Sequence, residues 1–86
     1  MTADQLRTRL AQHINTTSIE VIDQSAAHAG HRGNTGGGYF DVKIVSPEFE
    51  GLSRVARHQK VYAVVGGMIG KEIHALSIVA ITPHEN

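Results

Sequence analysis

The chain of 86 residues has no cysteine. That absence excludes a disulfide, a thiolate nucleophile and any iron–sulfur or zinc–thiolate centre built from this chain alone. Charge of one sign is also lacking, because eight Lys+Arg balance eight Asp+Glu. No general attraction to nucleic acid or to an anionic membrane surface follows from such a balance. No apolar run approaches the roughly 18 to 20 residues that cross a bilayer, and Met1 to Arg7 carries no apolar signal segment, so a cytoplasmic protein without membrane contact is expected. Neither of the common glycine-rich phosphate loops occurs, the serines form no nucleophile elbow, and the carboxylates are scattered. The expectation is a protein that is not an enzyme. Against these absences stand six histidines, a high number for so short a chain.

The length allows one domain, residues 1–86, and 41% hydrophobic residues are enough for a small two-layer core. Thr2 and Gln5 read as a capping box ahead of a first helix whose apolar stripe is Leu6, Leu10 and Ile14. Ser18 to Asp23 alternates as a strand. Tyr39 to Ser46 is the clearest strand, with Phe40, Val42 and Ile44 on one face and Asp41 and Lys43 on the other; Pro47 stops it. Ser53 is the expected N-cap of a second helix running to about Ile69, with Val55, His58, Tyr62, Val65 and Ile69 on one apolar stripe that Val61, Val64 and Met68 widen, so that the helix should be well buried. Glu72 to Ile81 reads as a strand covered on both faces. The order α-β-β-α-β predicts an α+β two-layer sandwich in which helices cover a three-stranded sheet.

Residues 24–38 form a Gly/His-rich loop with five glycines and two histidines, His28 and His31. A loop of that length in so small a domain points to function. His74 opens the last strand. An imidazole at a strand mouth and another on the loop make an open metal site with too few ligands to close; taken singly, each is also consistent with a solvated or hydrogen-bonded histidine. His58 reads as a subsurface residue, His13 as a helix-end residue and His84 as part of the tail. Gly67-Met68-Ile69-Gly70 spells the G-x-x-G clamp of RNA-binding KH domains, yet its middle pair is apolar, so a helix end with glycines free to take positive φ is the better reading.

Taken together, Phe49-x-Gly51-x-Ser53-x-x-x-Arg57-His58-x-x-Val61-Tyr62, Ile73-His74-Ala75-Leu76-x-Ile78-x-Ala80-x-Thr82-Pro83 and Ser25-x-x-His28 resemble the BolA family signature over nearly the whole chain. The resemblance implies a fold like class II KH domains. It also implies a heterodimer with a monothiol, CGFS-type glutaredoxin, bridged by a 2Fe–2S cluster for which glutaredoxin and glutathione supply thiolates and the BolA protein supplies imidazole. Carried onto this sequence, the ligands are His74 and His28, with His31 as the alternative on the loop. The implied role is in iron–sulfur trafficking or in iron and redox regulation, the protein alone being a monomer or weak homodimer. Many relatives carry T-H-F or S-H-F where this chain has Gly38-Tyr39-Phe40, so Tyr39 stands in place of that histidine. A second role attributed to some members is KH-like, DNA-binding transcriptional regulation. Its contacts here would be Arg54, Arg57, Lys60 and Lys71, against which the zero net charge weighs.

Overall fold

The computed structural model describes residues 1–25 and 38–86. Helix α1 (Ala3–His13) starts at the expected capping box, with the Thr2 side chain accepting from the Gln5 backbone and the Gln5 side chain accepting from the Thr2 N–H. Its stripe of Leu6, Leu10 and Ile14 is buried. Strand β1 (Ser18–Asp23) pairs antiparallel with β2 (Gly38–Val45), and β2 pairs parallel with β3 (Ile73–Ile81), giving the sheet order β1-β2-β3. A parallel pair needs a long crossover, and helix α2 (Arg54–Val65) supplies it from one end of β2 to the start of β3.

The two helices lie on one face of the sheet. Phe40, Val42 and Ile44 of β2, with Ile73, Ile78 and Ala80 of β3, meet Leu6 and Leu10 of α1 and Val61 and Val65 of α2 in one cluster. Short 3-10 turns at Pro47–Phe49 and Gly66–Met68 flank α2 and add buried Phe49 and Met68 to it.

Two expectations need correction. α2 stops at Val65 rather than near Ile69, because the chain tightens into the 3-10 turn at Gly66, and the left-handed turn residue is Gly70, with φ at 85°. The buried residues of α2 are Val61 and Val65, with Met68 in the turn after it, whereas Val55 is 66% and Tyr62 40% exposed. Neighbouring residues on a helix point about 100° apart, so an apolar surface this wide cannot all face the sheet. The second correction concerns β3, where Ala75, Ser77 and Val79 alternate outward and are exposed, so one face is open rather than both covered. Among the described residues both helices lie on one side, and none covers the other sheet face. Ile22 of β1 and Val79 are its exposed apolar residues, at 53% and 51%.

Candidate functional site

The expected site residue His74 sits at an irregularity in the sheet. Gly38 pairs with Ile73 and Tyr39 with Ala75, so His74 is an extra residue of β3 with no partner on β2. Such a β-bulge re-aims the side chain it carries. The alternation on β3 shows the slip: Ile73 and Leu76 both pack on the core cluster although they are three positions apart, after which Ile78 and Ala80 resume the period of two. His74 is therefore half-buried at the mouth of the parallel pair, and its ring packs on Tyr39 with centroids 4.8 Å apart and planes tilted by 39°. Tyr39 itself is only 8% exposed.

Both ends of the glycine-rich stretch are fastened beside this ring pair. The Gln24 N–H donates to the Tyr39 carbonyl at 2.7 Å, and the Tyr39 N–H donates to the Ser25 hydroxyl oxygen at 3.1 Å. The Ser25 N–H in turn donates to Asp23 at 2.8 Å. The Ser25 hydroxyl and that N–H together hold the Asp23 carboxyl below its ordinary range. On the return side the Gly38 N–H donates to the Glu72 carbonyl at 3.0 Å, which ties the start of β2 to the turn before β3. Any other residue at Gly38 would force the Phe40 ring to shift, since a Cβ would lie 2.4 Å from its Cε2. The Gln24 side-chain amide donates to Asp41 at 3.0 Å and, with Tyr39, Ala75 and Ser77, walls a shallow groove on the open sheet face.

His28 and His31 lie outside the described residues, as does most of the 24–38 loop. Gln24, Ser25 and Gly38 are its described ends. Among the described residues no group of three or more His, Cys, Asp or Glu side chains gathers to hold a metal, so His74 stands there as one imidazole. His13 and His84 are exposed, His84 lying 3.8 Å from Glu50, and His58 is half-buried on α2.

The four cations named for nucleic-acid contact do not form one patch. Arg57 points inward: its Nε donates to the Leu52 carbonyl at 3.0 Å, and one terminal nitrogen donates to the Ala80 carbonyl at 3.2 Å and to Glu85 at 2.6 Å. This guanidinium, with the Thr82 N–H, holds the Glu85 carboxyl down to about 2. Lys60 pairs with Glu48 at 3.2 Å. Arg54 and Lys71 are exposed, Arg54 at the first residue of α2, a helix about 18 Å long, and Lys71 beyond the 3-10 turn that follows its other end. In the G-x-x-G segment Met68 is buried in the core cluster, and the Gly70 N–H donates to the Ile73 carbonyl at 2.7 Å.

Sequence reasoning did not join Tyr39 to His74, nor did it find the bulge. A signal existed in Ile73-His74-Ala75-Leu76, where two core residues three apart cannot belong to an unbroken strand.

With this geometry in place, the comparisons with known proteins decide the family. The BolA-like protein family model matches residues 10–85. The chain belongs to the BolA family. It is 39% identical to a chloroplastic protein of Arabidopsis thaliana, BOLA1, over 98% of this chain and 55% of that relative. It is 38% identical to the Arabidopsis SufE-like protein 1, chloroplastic/mitochondrial, of which it spans 24%. The chain thus spans about half of one of these relatives and a quarter of the other. The BolA domain of Arabidopsis SufE1 superposes with a TM-score of 0.83 at 39% identity, covering 98% of this chain and 94% of that one. The α+β arrangement with its three-stranded sheet is the BolA fold. Among the described residues no helix is long and apolar enough to cross a membrane.

Proposed function

We propose that this BolA-like chain is a non-enzymatic partner of a monothiol CGFS glutaredoxin and co-ligates a bridging 2Fe–2S cluster through histidine, in iron–sulfur trafficking or in iron and redox regulation. The observation that carries the reading is His74: a half-exposed imidazole, set by a bulge at the mouth of the parallel strands, beside the anchored ends of a stretch that contains two further histidines.

The donor set fits half of such a site. His74 supplies a nitrogen ligand, His28 or His31 would supply a second, and a chain without cysteine leaves all thiolates to the partner and to glutathione. Imidazole in place of thiolate makes a two-iron cluster less anionic and raises its potential, as in Rieske centres. The residues of this chain have the simpler task of presenting imidazole at a fixed place. The proposed setting is the cytosol, where glutathione is kept reduced. Arg57 and Lys60 are occupied by internal partners and Met68 is buried, so no observation favours the nucleic-acid reading over this one.

The test is anaerobic reconstitution of the chain with a CGFS glutaredoxin and glutathione, followed by visible absorption, circular dichroism and electron paramagnetic resonance. A spectrum distinct from that of glutaredoxin alone is expected, with loss of the difference in His74→Ala. A mixture identical to glutaredoxin alone, or a spectrum that ignores His74→Ala and His28→Ala, rejects the reading.

A further inference from the structure

We infer that Tyr39 is the positioning residue of His74, and that the Asp23–Ser25 turn holds Tyr39 in the place from which it does so. The inference rests on the reading of His74 as a ligand and says how its imidazole is aimed. At a bulge the backbone ladder no longer fixes the extra residue: His74 has no cross-strand partner on β2, so the side chain needs another constraint. The ring of Tyr39 supplies it, at 4.8 Å and a 39° tilt, from a side chain that is itself nine-tenths buried.

Tyr39 is in turn fixed through both of its backbone groups by the two residues that follow β1. Its carbonyl accepts from Gln24 and its N–H donates to the Ser25 hydroxyl. Ser25 is itself held by Asp23 through the Ser25 N–H. A continuous chain of contacts therefore runs from the base of the histidine-bearing stretch to the imidazole on β3. Anything that docks on that stretch and disturbs Ser25 also disturbs the aim of His74. Gly38 makes the arrangement compact, because a Cβ directly before Tyr39 would force the Phe40 ring to shift.

The experiment measures side-chain scalar couplings and cross-relaxation of His74 by NMR in the unloaded chain, and visible circular dichroism of the cluster in the complex with a CGFS glutaredoxin and glutathione. Tyr39→Phe keeps the ring and is expected to keep one His74 rotamer and the wild-type cluster spectrum. Tyr39→Leu is expected to give rotamer averaging at His74 and loss of the cluster signal. Ser25→Ala retains both aromatic side chains, removes only the hydroxyl that accepts from the Tyr39 N–H, and is expected to give partial averaging, so a poorly folded Tyr39→Leu does not end the test. A single His74 rotamer in both Tyr39→Leu and Ser25→Ala overturns the inference, as does rotamer averaging that leaves the cluster spectrum unchanged in a system where His74→Ala abolishes it. If His74→Ala has no effect on the spectrum, the ligand reading fails, and the rotamer measurements alone decide the role of Tyr39.

Discussion

The two ends of the parallel β2–β3 pair are built in opposite ways. At the Val45 and Ile81 end Ser46, Glu48 and Arg57 each tie one element to another. Ser46 donates through its hydroxyl to the Asn15 carbonyl and accepts from the Glu48 N–H, and its own N–H donates to Ile81. Glu48 accepts from the Asn15 N–H and pairs with Lys60, which holds its carboxyl below the ordinary range. Arg57 joins α2, β3 and the C-terminal turn. At the Gly38 and Ile73 end the ladder slips, a histidine is left without a cross-strand partner, and the chain between the strands is rich in glycine. One end joins elements that are far apart in sequence; the other presents a side chain. A small fold separates stability from function in this way because a presented imidazole cannot also be consumed by internal hydrogen bonds.

That contrast can be broken or sharpened by measurement. The largest loss is expected from Phe49→Ala, which empties a fully buried site at the tied end and should cost about 3–5 kcal/mol, read by urea unfolding. A loss under about 1 kcal/mol would show that the 3-10 turn beside Phe49 collapses into the space and is not a rigid part of the tie. Gly38→Ala comes next. Its methyl meets the Phe40 ring, and overpacking of this kind costs about 1–3 kcal/mol, or roughly 4–24 °C in melting temperature for a chain of this size. Resonances of Tyr39 and His74 should move while those of Thr82 and Glu85 stay; movement at both ends would mean that the two regions are one cooperative unit.

A smaller effect, confined to acid, is expected at Glu85. Its folded value of about 2 lies below the ordinary glutamate value of 4.5, so its contribution is fully present above about pH 4.5 and is lost as pH falls towards 2. Stability of Glu85→Gln measured from pH 2 to 6 should therefore fall less steeply with acid than that of the wild type. Parallel curves over that window would remove Glu85 from the tied end. The smallest effect belongs to His74→Ala, a half-exposed side chain at the presenting end, whose change in stability should stay within about 0.5 kcal/mol. A stability loss of about 2 kcal/mol would make His74 a structural residue and erase the distinction between the ends.

Local signals in the chain are followed faithfully where a single element decides them. The capping box at Thr2 and Gln5, the Ser53 cap and the stop at Pro47 all appear as expected, because each satisfies backbone groups of its own turn. The errors arise where two elements compete. Val55 and Tyr62 belong in sequence to the same wide apolar surface as Val61 and Val65, and only the placement of the sheet selects the last two for burial. Likewise the apolar run of β3 gives no sign that, among the described residues, one face has no helix over it. His74 stands out in the sequence as a candidate ligand from its place after a glycine turn and from the BolA-like motif around it. Its contact with Tyr39 does not, since the two residues are 35 positions apart and meet through a shift of register.

By itself, the sequence determined the order of helices and strands, a chain without thiol ligands, and a family whose motif marks His74, because caps, periodicity and composition act within a few neighbouring residues. Only the tertiary structure decided which helix face is buried, that one sheet face stays open, and that a bulge turns His74 onto Tyr39 beside Ser25. Those outcomes depend on pairing register and on the number of covering layers, and both are properties of elements brought together from distant parts of the chain.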